Sequence, residues 1–354
     1  VPQAYAKWMP SLTLSTVGSK TWKETIEGDA PGDKDQSLSK SATLSFSQNL
    51  YRGGRNFIEL RKARLSVSST RASLLDTEQT VLLEAVTAFL DVLRDAKIIT
   101  ARKKDIELLQ QRLKTTEIQF DLQRRTAADL AQAKARLAEG NADLASANSD
   151  HQTSIANFKK IIGNAPLDKL APPEFKIDLP KLRKTAVLAA TNDHPKILQA
   201  ELDVKIAEED VKLKEGARLP TLSFSNSYGS SLEKTRGTPP ETDTTTLTSS
   251  LTLSMPLFQS GSEISEIRVA KKTVYQRRDE LREKVRNVRQ EAVSAWETLL
   301  SNKKRIKSLR IQSDAAEIAQ NNIAQELEVG RRTVQDLLDA DKAVLTAKLN
   351  FVRA

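Results

Sequence analysis

Cysteine is absent from this chain of 354 residues, which excludes disulfides and thiolate metal sites and is compatible with an oxidising compartment. Only two histidines occur, His151 and His194, and no His, Asp or Glu cluster has metal-ligand spacing. Glycine-rich phosphate loops and Ser-His-Asp sets are missing, which argues against an enzyme. Glycine and proline number 12 each and aromatics make up 5%. That is thin for a compact enzyme and suits extended helices. No run of about 18 apolar residues exists, so no transmembrane helix is encoded. No signal peptide stands at the start, and both ends read as trimmed. The charged residues, 29% of the chain, are mixed in sign along the helical stretches, so the net charge of +9 reads as a surplus on solvated helix faces rather than a nucleic-acid footprint.

What the chain does have is helix without breakers. From Ser262 to Val329 there is neither proline nor glycine, a span of roughly 100 Å at about 1.5 Å per residue. Val274, Leu281, Val285, Val288, Ala292, Ala295, Leu299, Ile306 and Leu309 recur at steps of three, four and seven, a heptad seam that must be buried against other helices. A reversal at Val329-Gly330-Arg331-Arg332-Thr333 turns the chain into a second, returning helix. Residues 259–354 therefore form a helical hairpin with its tip at about 328–334.

The first half has the same plan. Leu50 maps onto Leu257, Gly54 onto Gly261, Thr126 onto Thr333 and Asp129 onto Asp336 at one constant offset of 207 residues. Residues 1–51 carry alternation around Leu12, Leu14, Leu44, Phe46 and Leu50, a strand pair with a long loop expected at about 18–40. Residues 52–163 are a helical hairpin with its tip at about 122–127. Proline-rich residues 164–194 form an irregular belt, with His194 before Pro195 as a helix-start residue. A helix over 195–219 leads into a second strand pair at 220–258, with a loop at about 229–246. The fold class is α+β, mostly long coiled-coil hairpins with four strands, in two internal repeats.

Strands of about ten residues that alternate apolar with small polar side chains match strands crossing an outer-membrane-type bilayer. An open sheet edge is not tolerated in lipid, and four strands cannot close a barrel. Subunits must pool strands, and three copies would supply a twelve-stranded barrel. On Leu247 to Met255 the apolar residues sit at odd numbers, and those are expected to face lipid.

Val329-Gly330-Arg331-Arg332-Thr333-Val334-Gln335-Asp336-Leu337-Leu338-Asp339-Ala340 resembles the periplasmic-tip motif of the TolC family of outer-membrane efflux proteins. Leu50-Tyr51-Arg52-Gly53-Gly54 and Leu257-Phe258-Gln259-Ser260-Gly261 resemble its strand-to-helix junctions, and the ordered set covers essentially the whole chain. The resemblance implies a homotrimer with a β-barrel in the outer membrane and an α-helical tunnel in the periplasm. It also implies partnership with a periplasmic adaptor protein and an inner-membrane transporter, no cofactor, and drug efflux or type I protein secretion as the task.

The same resemblance assigns sites. Asp336 and Asp339, one turn apart, would form an entrance ring that binds cations, with raised carboxyl pKa values where three copies converge. Arg332 and Asp129 match the family's entrance latch, while Leu327 and Ala128 depart from it where a tyrosine and a hydroxyl residue occur in the family. Arg125 and Thr126 at the first reversal, and Gly330, Arg331 and Thr333 at the second, match adaptor-docking tips. The first reversal lacks the glycine. A structural coiled-coil scaffold or a periplasmic adaptor is the alternative of a different class, and solubility without detergent would distinguish it.

Overall fold

Alternating strands and breaker-free helices resolve, in a computed structural model, into α1 (Pro2–Ala6), β1 (Ser11–Thr25), β2 (Asp33–Arg52), α2 (Arg55–Asp121), α3 (Ala127–Ile162), α4 (Arg183–Asp193), α5 (Pro195–Gly216), β3 (Thr221–Thr235), β4 (Thr242–Ser254), α6 (Ser262–Glu328) and α7 (Val334–Arg353). The structure describes residues 1–25, 33–166, 170–171, 173, 179–235 and 242–354. They fall into two units, Val1–Leu74 with Asp193–Asn287 and Leu75–Asn192 with Val288–Ala354.

The first unit holds one antiparallel sheet in the order β1-β2-β3-β4. Its strands are 15, 20, 15 and 13 residues long, longer than the expected ten. Most of what alternation assigned to loops at 18–40 and 229–246 is therefore strand. Only 26–32 and 236–241 of those loops lie outside the described residues, as do 167–169, 172 and 174–178 of the expected belt. Beyond the apolar stretch the hairpins are continued by their backbone ladders, which leave no hydrophobic signature in sequence. β4 also stops at Ser254 rather than reaching Phe258, because Pro256 has no N–H to give a ladder.

Register decides the faces. β1 pairs β2 as Leu12↔Phe46 and Leu14↔Leu44, β2 pairs β3 as Gln48↔Phe224 and Leu44↔Tyr228, and β3 pairs β4 as Phe224↔Leu251 and Tyr228↔Leu247. Partners across a ladder share a face. One face thus collects Leu12, Leu14, Trp22, Leu38, Leu44, Phe46, Phe224, Tyr228, Leu232, Leu247, Leu251 and Leu253. The other is almost wholly Ser and Thr, among them Thr13, Ser15, Ser41, Thr43, Ser45, Ser225, Ser227, Thr248, Ser250 and Thr252. Among the described residues no helix covers the apolar face: Leu12 is 68% and Leu253 69% exposed. The odd residues of β4 fall on it.

The same unit contains two junctions. At the first, Gly53 (φ 59) and Gly54 (φ 73) take left-handed backbone and turn β2 into α2. α5 is clamped to the start of α2 by Arg61 with Glu209 at 3.3 Å and Lys62 with Asp210 at 2.5 Å, and to the start of α6 by Lys214 with Glu266 at 3.1 Å. His194 caps α5, its Nδ1 accepting from the Lys196 amide at 3.2 Å.

In the second unit small hydrophobic clusters stack along α2. Ala88 and Val92 pack with Phe158, Ile98 with Ala147 and Leu349, and Leu109 with Val334 and Leu338. The core is thus a seam shared by α2, α3 and α7, formed by residues at heptad-like spacing. Along α6, Val274 and Val288 of the expected seam are buried within their own units, while Ile306 stays 41% exposed. No helix among the described residues is long and apolar enough to cross a membrane.

Candidate functional site at the helix reversals

Both reversals are built by the same local chemistry, one repeat length apart. At the end of α2 the Arg124 amide donates to the Gln119 carbonyl at 2.8 Å and the Gln123 amide to that of Phe120 at 2.8 Å. At the end of α6, Arg331 donates to Glu326 at 2.8 Å and Gly330 to Leu327 at 3.1 Å. This is a Schellman motif, which needs one left-handed residue. Gly330 supplies it at φ 75, and Gln123 supplies it at φ 57. The first reversal therefore makes the same turn without a glycine. Because a non-glycine residue is strained there by about 1 kcal/mol, Gln123→Gly is expected to raise stability by roughly that amount, read from the melting midpoint of the helical circular dichroism signal; Gly330→Gln should lower it similarly.

After each turn an arginine folds back onto the preceding helix. Arg125 Nε donates to Gln119 Oε1 at 2.9 Å, and Arg332 Nε donates to Glu326 Oε2 at 2.8 Å. The Glu326 carboxylate pushes the Arg332 guanidinium pKa up. Next comes a capping box. Asp129 Oδ2 accepts from the Thr126 amide and hydroxyl at 3.0 and 2.9 Å, and the Thr126 hydroxyl accepts from the Asp129 amide at 3.2 Å. Thr333 and Asp336 repeat it at 2.9, 2.8 and 3.2 Å. These bonds satisfy otherwise orphaned helix N–H groups.

The site residues expected from sequence therefore have partners inside one chain. Asp336 and Asp129 are both held below the usual carboxylate range, first by the backbone amide of Thr333 or Thr126 and then by its hydroxyl. Within one chain the shift at Asp336 thus runs opposite to the rise expected for converging carboxylates. Asp339 accepts from Arg136 Nη2 on α3 at 2.7 Å and from Gln335 Nε2 at 2.9 Å. Lys342 donates to Glu139 at 2.7 Å beside it, so α3 and α7 are laced by two cross-helix bonds. Arg332 and Asp129 are not joined to each other: the first is bound to Glu326, the second to Thr126.

The two reversals lie together. Thr116, Gln119, Arg124 and Arg125 of the first, with Leu327, Gly330, Val334 and Leu337 of the second, line one cleft of about 490 Å³. Leu122 and Val329, one repeat apart, are 61% and 70% exposed on the turns beside it. Sequence reasoning passed over this apolar pair and over Gln119 and Glu326. The 207-residue offset that matches Gln119 to Glu326 and Leu122 to Val329 would have found all four.

Deeper in the same unit, Asp341 of α7 is buried, its side chain 1% exposed. It accepts from Gln320 Nε2 of α6 at 2.6 Å and from Arg112 Nε of α2 at 3.3 Å. One carboxylate thus joins three helices. Asp105 lies near it. Burial pushes the Asp105 carboxyl up to about 6; Arg102 opposes this, and the charges of Asp341, Asp143 and Glu139 reinforce it. Among the described residues no group of His, Asp and Glu is arranged to hold a metal ion.

Compared with known proteins, residues 1–164 and 187–354 match the family model described as outer membrane efflux protein. Outer membrane efflux protein BepC of Brucella suis is 29% identical over 311 residues, covering 88% of this chain and 68% of BepC. Outer membrane protein TolC of Escherichia coli is 24% identical over 334 residues, covering 89% of this chain and 66% of TolC. The chain thus spans about two thirds of the length of each. The crystal structure of outer membrane protein VceC from Vibrio cholerae aligns with a TM-score of 0.76 at 16% identity, covering 99% of this chain and 84% of that one, which is a likeness of fold.

Proposed function

The chain belongs to the outer membrane efflux protein family, and from that premise we propose that it is one subunit of a homotrimeric export channel. Residues 1–51 and 220–258 contribute to a pooled β-barrel in the outer membrane. Residues 52–163 and 259–354 wall a helical tunnel in the periplasm, with a belt at 164–194. An inner-membrane transporter supplies drugs or proteins and the energy to move them, and a periplasmic adaptor couples it to the tunnel. The subunit itself performs no chemistry.

The observation that carries this reading is the sheet. It presents a Leu, Phe, Tyr and Trp face and a Ser/Thr face, and among the described residues its edges β1 and β4 are unpaired. An uncovered apolar face suits lipid, a hydroxyl face suits a water-filled lumen, and open edges in lipid require further strands. A scaffold or adaptor has no use for such a sheet.

In this channel the cleft between the reversals receives the adaptor, with Arg125, Thr126, Gly330, Arg331 and Thr333 around it. A latch between neighbouring copies through Arg332 and Asp129 would engage by exchanging the local bonds that hold Arg332 to Glu326 and Asp129 to Thr126 for partners on the next copy. Asp336 and Asp339 of three copies supply the cation ring. The bonds from Thr333 favour the ionised form of Asp336 and so oppose the rise that converging carboxylates would impose.

Detergent-purified protein in a planar bilayer is expected to conduct and to be blocked by a divalent cation added on the tip side. Asp336→Ala with Asp339→Ala should conduct without block. Equal block in that variant would remove the ring and keep the channel. Protein that is soluble without detergent and gives no conductance would overturn the channel in favour of the scaffold.

A further inference from the structure

Charge is not shared evenly between the two faces of the sheet. In one cross-strand row Lys20 stands opposite Leu38, and Leu38 opposite Lys234. In the next row toward the helices Gly18 pairs Lys40, Lys40 pairs Leu232, and Leu232 pairs Asp243. The register puts both rows on the face of Leu14, Leu44, Tyr228 and Leu247. At the same height the hydroxyl face carries Ser19, Ser39, Ser41 and Ser231 with the acid Glu233. Three lysines thus share the apolar face with one acid. Asp243 accepts from the Ser230 hydroxyl at 3.4 Å. Lys20, Lys40 and Lys234 are exposed, and the Lys20 ammonium lies 5.0 Å from the centre of the Trp22 ring.

The height of these rows follows from the strand. β3 starts at Thr221, beside the helical junctions, and Leu232 lies ten residues beyond Leu222. That is roughly 34 Å along the strand and, at a tilt of about 40°, roughly 26 Å across a bilayer. An outward apolar band is about 25 Å tall, so the lysines stand at its edge, on the side away from the helices. Their surroundings suit neither hydrocarbon nor bulk water. Leu38 and Leu232 between them are each 38% exposed, and Trp22, one row further, is 67% exposed. Lysine mixed with tryptophan and leucine is the composition of a headgroup layer. Like charges this close on one face repel unless an anion lies between them. Opposite Lys40 the space is open, since nothing lies within 4 Å of a Cβ placed on Gly18.

We propose that Lys20, Lys40 and Lys234 bind the phosphate groups of a multiply phosphorylated lipid in the leaflet remote from the helices. This rests on the membrane barrel proposed above and adds to it a ligand of stated chemistry. The ammonium groups meet the phosphates, while Trp22, Leu38 and Leu232 lie against the carbon of the headgroup and the start of its chains. A free phosphate ion would use the lysines alone and leave that apolar surface bare, whereas a lipid phosphate uses both. Each lysine at an anionic surface strengthens binding roughly fivefold. The belt therefore selects lipids by charge at one height of the barrel.

The test titrates the detergent-purified full chain with a glucosamine-disaccharide lipid carrying two phosphates and counts bound lipid by native mass spectrometry. Wild type should retain it at least about tenfold more tightly than the same lipid stripped of its phosphates. Lys20→Gln with Lys40→Gln should weaken retention about thirtyfold, and Lys20→Arg with Lys40→Arg should restore it. Lys303→Gln with Lys304→Gln, on α6, should leave it unchanged. All four lysines are exposed, so the fold tolerates these changes. Equal retention by wild type and Lys20→Gln with Lys40→Gln would overturn the belt. Inorganic phosphate that binds the same lysines and displaces the lipid would overturn the lipid as occupant. Flotation with phosphatidylcholine vesicles keeps the two readings apart. A chain that inserts in them but shows no lysine-dependent retention loses the belt and keeps the barrel. One that stays in the aqueous layer and is soluble without detergent loses both.

Discussion

Gly53→Ala is expected to prevent the chain from assembling a stable sheet-to-helix junction, whereas Gly54→Ala and Gly261→Ala should cost little. A Cβ on Gly53 would overlap the Gly216 carbonyl oxygen and lie 2.8 Å from Leu219 Cβ. Neither obstacle is a flexible side-chain end that could swing aside. Left-handed backbone at φ 59 adds strain of about 1–2 kcal/mol for any residue with a Cβ, and forced overpacking adds about 1–3 more. The sum, roughly 2–5 kcal/mol, is a large part of a typical domain's stability. At Gly54 and Gly261 a Cβ meets nothing within 4 Å, so only the backbone strain remains. The checks are the yield of folded protein from detergent extracts and the midpoint of its melting. Equal losses at Gly53 and Gly54 would show that conformation alone, and not the contact with α5, makes this glycine necessary.

Asp341→Ala is expected to destabilise the helical unit by about 2–4 kcal/mol, because it strands two donors, Arg112 and Gln320, at the point where three helices meet. Arg112 is 31% exposed and can turn partly to water, which favours the lower half of that range. Asp341→Asn keeps an acceptor for Gln320 and should cost less. It also removes a negative charge that raises the Asp105 carboxyl, and this gives a second readout. With a folded pKa of about 6 against an ordinary 3.8, Asp105 holds a proton in the folded state that the unfolded chain has released. Its contribution to stability therefore falls as pH rises from about 4 to 6. In Asp341→Asn that decline should shrink and move toward lower pH, measured as melting midpoint against pH. An unchanged profile would mean that burial alone sets the Asp105 value.

The tip carboxylates act in the opposite sense and in another window. Asp129 and Asp336 are held below the usual range by their capping boxes, so the stability they add is complete above that range and is lost only as pH falls below it. Their protonation and that of Asp105 are thus separable in one titration.

Sequence alone determined what is local or periodic. The breaker-free runs, the reversals at residues 122–127 and 328–334 and the repeat all follow from residues acting on the backbone within a few positions, or from simple recurrence. The Thr–Asp spacing at both tips is likewise local, although its meaning as a capping box was masked by reading Asp336 as an entrance-ring carboxylate and Asp129 as a latch residue. Tertiary structure decided what depends on partners far along the chain. Which side of each strand belongs with which is a matter of register, since a strand alternating Leu with Ser looks the same from either neighbour. Asp339 is bound by an arginine on another helix, and Asp341 is buried because α2, α6 and α7 converge on it. Gln123 takes the left-handed place of a glycine because the Schellman bonds and the docked helices outweigh a strain of about 1 kcal/mol. Such choices are made by docking, and the residues that make them lie up to 229 positions apart in the chain.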